Sequence, residues 1–108
     1  MVVLGKEYVL CNRVLSDVNE VNRLLAVVSG MLGVKASKVR KGLFKKTCRL
    51  RVVITARVFS DNMGNYNIGV YDEDKGKYRV FSKVMVHSGA IKTLPMVRKV
   101  VKMVLEGR

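Results

Sequence analysis

Regular patterns of apolar and polar residues occur in six segments of this chain. Alternation with β-forming residues predicts strands at residues 6–14, 47–60, 66–71 and 77–86. Apolar residues three or four positions apart predict one helix after the first strand and another after the last one. The apolar positions of the helices are Val18, Val21, Leu24, Leu25, Val28 and Leu32, then Val97, Val100, Val101, Val104 and Leu105. The predicted order of elements is therefore β-α-β-β-β-α.

Capping residues give the expected ends of both helices. Ser16 is suited to cap the first helix, because its hydroxyl accepts a hydrogen bond from a free N–H of the first turn. Gly30 and Gly33 predict that this helix ends between them. Thr93 is expected to cap the second helix and to place Pro95 in the first turn, where a missing N–H costs least.

The strand at residues 47–60 has two different faces. One face is apolar and comprises Cys48, Leu50, Val52, Ile54, Ala56 and Val58. The other face comprises Arg49, Arg51, Val53, Thr55, Arg57 and Phe59. Each helix has one apolar stripe and needs a sheet to bury it. We therefore expect an α+β fold, an antiparallel sheet of three to four strands with two helices packed on one face. The other face is expected to be open, basic and aromatic.

The last predicted strand continues this open face. Its expected outward residues are Lys77, Arg79, Phe81, Lys83 and Met85, whereas Tyr78, Val80, Val84 and Val86 are expected to point inward. Tyr71 of the preceding strand shares the outward parity if Ile68 and Val70 point inward. Aromatic rings and cations are thus predicted to share one surface.

Positive charge is concentrated in one part of the chain. The chain has 21 Lys and Arg residues against 8 Asp and Glu, a formal net charge of +13. Eight of the basic residues lie between Lys35 and Arg51, without an acid among them. Such a surplus favours a polyanionic partner. Residues 33–47 show no period and are rich in Lys, Gly and Ser, which predicts a mobile basic loop.

Interleaved rings and cations suit a single-stranded nucleic acid, because cations follow the phosphates while unpaired bases stack on rings and guanidinium planes. A duplex hides its base faces and gains little from exposed rings. The candidate nucleic-acid-binding residues are Lys38, Arg40, Lys41, Phe44, Lys45, Lys46, Arg49, Arg51, Arg57, Phe59, Tyr71, Arg79, Phe81 and Lys83. An alternative is that Phe59 and Phe81 pack against a second subunit, and both uses are compatible in one groove.

Other chemistry is less well supported by the sequence. Asp61 followed by Glu73 and Lys75 is similar to the pattern of metal-dependent nucleases, in which two carboxylates hold Mg²⁺ and a lysine assists the attacking water. Here the second part falls in a predicted turn instead of a strand, so we expect no catalytic activity. Cys11 and Cys48 are 37 residues apart and the chain has one histidine, so we expect buried thiols and no metal or cofactor.

Length and hydropathy limit the number of domains and the location that we expect for this chain. Its 108 residues are expected to form one nucleic-acid-binding domain, residues 1–108. At 49% hydrophobic residues, the chain has more apolar material than one small core needs, which favours a homo-oligomer. The first residues lack a signal-peptide pattern and no apolar run approaches the length of a membrane span. We therefore expect a cytoplasmic protein without a membrane partner.

Two families resemble parts of this pattern. From Ser16 to Gly107 the order α-β-β-β-α is similar to a double-stranded RNA-binding domain, although the second helix starts with TLPMVRK instead of adjacent lysines. The chain resembles the small archaeal single-stranded DNA-binding proteins of the ThermoDBP-related group, which lack an OB fold. The resemblance lies in its size, its basicity and the segment 35–59. That resemblance implies an oligomer that holds single-stranded DNA along basic and apolar grooves. The alternative function is a double-stranded RNA-binding module or a ribonucleoprotein subunit. The sequence also does not decide whether the single strand is DNA or RNA.

Overall fold

The computed structural model describes residues 4–40, 48–87 and 89–106. The elements are β1 (Glu7–Leu15), α1 (Val18–Leu32), β2 (Leu50–Val58), β3 (Gly64–Asp72), β4 (Lys77–Val86) and α2 (Ala90–Glu106). The four strands form one antiparallel sheet in the spatial order β1-β2-β3-β4. The predicted α+β class and the order β-α-β-β-β-α are thereby confirmed.

The core lies between one face of this sheet and the two helices. The apolar face of β2 is completely covered, with Leu50, Val52 and Ile54 each at most 1% exposed. Leu24 of α1 and Val97 of α2 belong to the same buried cluster. Because each helix buries a single stripe, both pack on the same side of the sheet and leave the other side open.

The helix α1 starts one residue later than expected. Asp17, not Ser16, is the N-cap: its backbone is extended and its carboxylate accepts a hydrogen bond of 2.8 Å from the N–H of Asn19. A carboxylate at this position also interacts favourably with the helix dipole. Gly33 ends the helix with a φ of 70°, and its N–H bonds to the carbonyl of Gly30, as the spacing of the glycines predicts.

The helix α2 starts earlier than its sequence suggests. It begins at Ala90, so Thr93 lies within the first turn and the prediction that Thr93 caps the helix was wrong. The Thr93 hydroxyl donates to the carbonyl of Ala90 at 2.9 Å and accepts from the Tyr66 hydroxyl at 3.0 Å. Thr93 thus fastens the first turn of α2 to β3, and Pro95 lies beyond that turn on the exposed side of the helix.

Part of the predicted mobile loop is held against the fold. The backbone N–H and carbonyl of Val39 bond to the side-chain amide of Asn22 in α1, at 2.8 and 3.0 Å. The Val39 side chain is buried at 4% exposure. Through Val39 the segment 34–40 contacts α1, while the other residues of the segment are exposed. Residues 41–47 lie outside the described residues.

Candidate nucleic-acid interface

Cross-strand pairing arranges the open face of the sheet in four rows. From one end to the other, these rows are Val14-Arg51-Tyr71-Tyr78, Asn12-Val53-Gly69-Phe81, Val9-Thr55-Asn67-Lys83 and Glu7-Arg57-Asn65-Met85. The strand β2 therefore contributes the arginines, while β3 and β4 contribute most of the rings. Neighbouring side chains on one face of a sheet lie about 5 Å apart, so each row forms a continuous surface.

Three aromatic rings form a cluster at one end of this face. The ring centroids of Tyr71 and Tyr78 are 5.1 Å apart and those of Tyr78 and Phe81 are 5.5 Å apart, both in edge-to-face geometry. Gly69 lies beneath them: a Cβ at that position would be 3.1 Å from Cε1 of Tyr78. Tyr78 is 54% and Phe81 64% exposed. We call Tyr71, Tyr78 and Phe81 the ring cluster.

A β-bulge determines which residues of β4 join this cluster. The pairing shifts between Val70 and Tyr71, so that Val80 and Tyr78 are their partners and Arg79 is the extra residue. This shift reverses the parity expected from the sequence. The predictions that Tyr78 points inward and that Lys77 and Arg79 lie on the open face were wrong.

Arg79 is instead directed to the helix side of the sheet. Its guanidinium contacts the carboxylate of the buried Asp72 at 3.2 Å and donates to the carbonyl of Arg40, also at 3.2 Å. The same carboxylate accepts from the N–H groups of Asp74 and Lys75. Arg79 therefore fixes the β3–β4 turn and the end of the segment 34–40, and does not contribute to the open face.

The arginines of the open face are paired with carboxylates of the same chain. The pairs are Arg49 with Asp74 at 3.0 Å, Arg51 with Glu73, and Arg57 with Glu7 at 3.9 Å. Arg51 also donates to Asn12 at 2.8 Å. These three arginines and Lys83 thus face three carboxylates, and the surface carries far less net charge than its arginines alone suggest.

Two of these ion pairs are exposed enough to exchange partners. The side chains of Arg49 and Asp74 are 66% and 39% exposed, and those of Arg57 and Glu7 are 49% and 51% exposed. Exposed pairs contribute between zero and about 1 kcal/mol, because water screens the charges. Arg51 is more firmly held, since Glu73 and Asn12 bind it from two sides.

Phe59 and Phe81 do not form one platform. Phe59 follows the last residue of β2 and is 45% exposed. It lies six residues beyond Val53, the β2 residue in the row of Phe81, a separation of about 20 Å at about 3.3 Å per residue. The two rings that the sequence placed together therefore belong to opposite ends of the open face.

The predicted basic loop residues that the structure describes do not lie on the open face of the sheet. Lys38 and Arg40 are exposed, and they belong to the segment 34–40 beside α1, on the helix side of the sheet. The other predicted loop residues, Lys41, Phe44, Lys45 and Lys46, lie outside the described residues. The structure thus brings Arg51, Arg57, Tyr71, Phe81 and Lys83 onto one face, and Arg49 precedes β2 beside Asp74.

The carboxylates of the nuclease-like pattern are not brought together. Asp61 follows β2 and Glu73 follows β3, and these two strands are antiparallel and nine residues long. The two residues therefore lie at opposite ends of the sheet, about 30 Å apart at about 3.3 Å per residue. Among the described residues, no group of three His, Cys, Asp or Glu side chains is arranged to hold a metal ion.

The two cysteines have different environments. Cys11 is buried, and desolvation raises the pKa of its thiol, so the neutral form is favoured. Cys48 is partly exposed, and its Sγ donates to the carbonyl of Ser16 at 3.1 Å. The expectation of a buried thiol holds for Cys11 alone.

Sequence patterns missed several residues of the open face. Tyr78 was missed because a bulge leaves no mark on the alternation. Val9 and Val14 of β1 could have been found once β1 was paired with β2, since both oppose outward residues. Asn65, which is 6% exposed, places a side-chain oxygen there that accepts no hydrogen bond from the described residues.

Comparison of the chain with protein-family models, curated proteins and solved structures returned no match. None of the described helices is both long and apolar enough to cross a membrane. The functional inference therefore rests on the geometry of this chain.

Proposed function

We propose that this protein is a non-catalytic binding protein for single-stranded nucleic acid. The observation that carries the proposal is the ring cluster, in which two of three rings are more than half exposed on an open sheet face. Stacking of an unpaired base on such a ring contributes roughly 1–3 kcal/mol. A four-stranded sheet with surface rings is a recurrent platform for two or three unstacked bases.

The phosphates are bound in this proposal by cations that border the rings. Lys83 lies two residues beyond Phe81 on the same face of β4. Arg49 and Arg57 reach phosphates by leaving their exposed carboxylate partners, at a cost of about 1 kcal/mol or less each. The net charge of +13 adds a long-range attraction for any polyanion.

A single strand fits this surface better than a duplex does. The rings stand on a broad sheet, where they meet base faces, and a duplex presents base edges and phosphates instead. DNA is favoured over RNA only by the resemblance to the ThermoDBP-related proteins, and the residues of the open face themselves do not distinguish the two.

A second candidate function is self-association through the same face. It is favoured by the near-balance of charges there, because an interface between copies of a basic chain requires a surface of low net charge. Exposed apolar side chains such as Val9, Met85 and Phe59 would be covered in that contact. Sedimentation at several protein concentrations, without nucleic acid, measures it directly.

A binding panel tests the proposed function. We expect a single strand of DNA or RNA to bind more tightly than the matching duplex. If about four to six phosphates are neutralised, the logarithm of the association constant falls with the logarithm of salt concentration with a slope of about −3 to −4. Equal affinity for single strands and duplexes would contradict a role for the rings, and a flat salt dependence would contradict phosphate binding.

A further inference from the structure

A groove of about 410 Å³ lies between the outer edge of β1 and the C-terminal half of α2. Its sheet wall is formed by five consecutive residues, 9–13, which include residues of both faces of β1. The groove therefore opens on the edge of the sheet itself. Its volume is in the range of binding sites for compact ligands.

The chemistry of the groove combines an apolar floor with cations. Leu10, Val101 and Cys11 are buried, so the floor is apolar. Three cationic side chains, Arg13, Arg98 and Lys102, line the groove together with one acid, Glu106. The carboxylates that neutralise the open face, Glu7, Glu73 and Asp74, are not among the lining residues. The groove thus keeps a surplus of positive charge beside an apolar surface.

The backbone of β1 supplies the third feature. Among the described residues, the only strand that pairs with β1 is β2, so the outer edge of residues 9–13 is available for another strand. An extended segment added there would lie directly over the groove and against α2. Main-chain hydrogen bonds then give affinity, and alternate side chains of the added strand enter the groove.

We propose that this groove binds an extended acidic segment of a partner protein, which adds to the edge of β1 with alternate carboxylates in the groove near Arg13, Arg98 and Lys102. Its intervening apolar side chains then lie on the other side of the sheet, beside the exposed Val9. This surface is separate from the ring cluster, so the inference goes beyond the proposed function and does not depend on it.

Charge and edge geometry select this occupant over two others. A second copy of the chain would bring another Arg13 and a further net charge of +13 to a basic groove, and like charges at a strand edge oppose pairing. A nucleic-acid strand would satisfy the cations but would leave the edge of β1 without a regular main-chain partner.

The test uses a fluorescein-labelled, acetylated peptide of sequence EVEIEVE and the full chain, with affinity measured by fluorescence anisotropy. The double variant Arg98→Glu/Lys102→Glu should weaken binding about tenfold or more, since two attractions become repulsions. The matched control is Lys92→Glu/Lys99→Glu, which makes the same change in charge on exposed residues of α2 that do not line the groove. The control should change affinity by less than about threefold, because only long-range attraction is lost.

Two further measurements separate strand addition from simple charge attraction. The peptide EVEPEVE has the same charge but a proline that interrupts main-chain pairing, and it should bind at least about tenfold more weakly. Amide hydrogen exchange of residues 9–13 should slow when EVEIEVE binds, because strand pairing protects their N–H groups.

Several results would overturn the proposal. It is wrong if EVEIEVE does not bind, if the two double variants lose affinity equally, or if the proline peptide binds as well as EVEIEVE. It is also wrong if a single strand of fifteen thymidine nucleotides displaces EVEIEVE, and if the variant Arg98→Glu/Lys102→Glu binds that strand as much more weakly as it binds the peptide. The groove would then be a nucleic-acid site. Concentration-dependent dimers that only this variant abolishes would assign the groove to a second copy.

Phe81→Ala should leave peptide binding unchanged, so failure of the nucleic-acid proposal is distinguishable from failure of this one.

Discussion

The open face of the sheet and the β1–α2 groove are both lined by arginines, yet their charges are organised in opposite ways. On the open face Arg49, Arg51 and Arg57 each contact a carboxylate of the same chain. In the groove, three cations share the lining with the single acid Glu106. The open face also carries exposed rings, whereas the groove has an apolar floor and a strand edge with which no other described strand pairs.

This difference shows that a count of basic residues does not locate a binding surface. Ion pairs reduce the field of the open face, so the nucleic-acid binding that we propose there depends on stacking and on ion pairs that exchange. The groove keeps a surplus of positive charge, which suits the acidic segment that we propose as its ligand. The two surfaces are therefore expected to respond to different substitutions.

The substitution Gly69→Val should have the largest effect on the open face. A Cβ at this position would lie 3.1 Å from Cε1 of Tyr78, and the two methyl groups of valine need still more space. Because Tyr78 is exposed, its ring can turn into solvent without disturbing the core. We expect single-strand affinity to fall about 10- to 100-fold, as stacking on the ring cluster is lost.

The control for Gly69→Val is Asn67→Val, which adds a valine to the same face and strand but in the next row. It should leave the rings in place and change affinity much less. Both variants should keep a cooperative thermal transition close to that of the original chain. Retention of full affinity in Gly69→Val would show that the ring cluster is not used.

Removal of two carboxylates that pair with Arg49 and Arg51 should raise single-strand affinity instead of lowering it. Glu73→Gln with Asp74→Asn releases Arg51 and Arg49 from their ion pairs. Single-strand affinity should then rise about three- to tenfold, with a salt slope steeper by about 0.7 for each additional phosphate that is bound. Salt titration of binding gives both quantities.

Glu20→Gln with Asp61→Asn is the matched control, because it removes two carboxylates that take no part in these pairs. If both double variants gain affinity equally, net charge alone accounts for the effect and the pairs are irrelevant. The same proteins test for hydrolysis: we expect no cleavage of single strands or duplexes with Mg²⁺. Cleavage that disappears with Glu73→Gln would favour the nuclease alternative.

Most of the fold follows from local sequence patterns. The alternation at Leu50–Val58 and the helical stripes fix both faces of the sheet and the side that the helices cover. The residues of the open face were harder to predict from the sequence, because their arrangement depends on pairing between strands that are distant in the chain. The bulge at Arg79 reversed three side chains, and the ion pairs join Arg49, Arg51 and Arg57 to residues 22 to 50 positions away in the chain. Neither a bulge nor a cross-strand pair has a period that a sequence reveals.

A smaller effect is expected from pH, through Cys11 on the floor of the groove and Tyr66 in the core. Burial raises the pKa of both groups above their values in an unfolded chain, which are 9.0 and 10.0. The unfolded state therefore loses these protons first. Their contribution to stability is complete well below pH 9 and is lost as the pH rises through the folded-state values.

Thermal unfolding at several pH values measures this contribution. The midpoint should be steady between about pH 7 and 8 and should fall between about pH 9 and 11. In Cys11→Ala the fall should begin at higher pH, because only Tyr66 then contributes. An identical pH profile in the variant would mean that the thiol is not desolvated, and the groove floor would be wetter than its burial indicates.

Base stacking on the ring cluster is tested by comparing Phe81→Ala with Met85→Ala, with single-strand affinity measured across a range of salt concentrations. Both residues are exposed on the open face of β4, and only Phe81 belongs to the ring cluster. We predict that Phe81→Ala costs roughly 1–3 kcal/mol of single-strand binding with an unchanged salt slope, because stacking releases no counterions. Met85→Ala should cost much less, and neither substitution should alter duplex binding. If Phe81→Ala remains monodisperse and folded and binds single strands as well as the original chain, the open face is not a stacking platform.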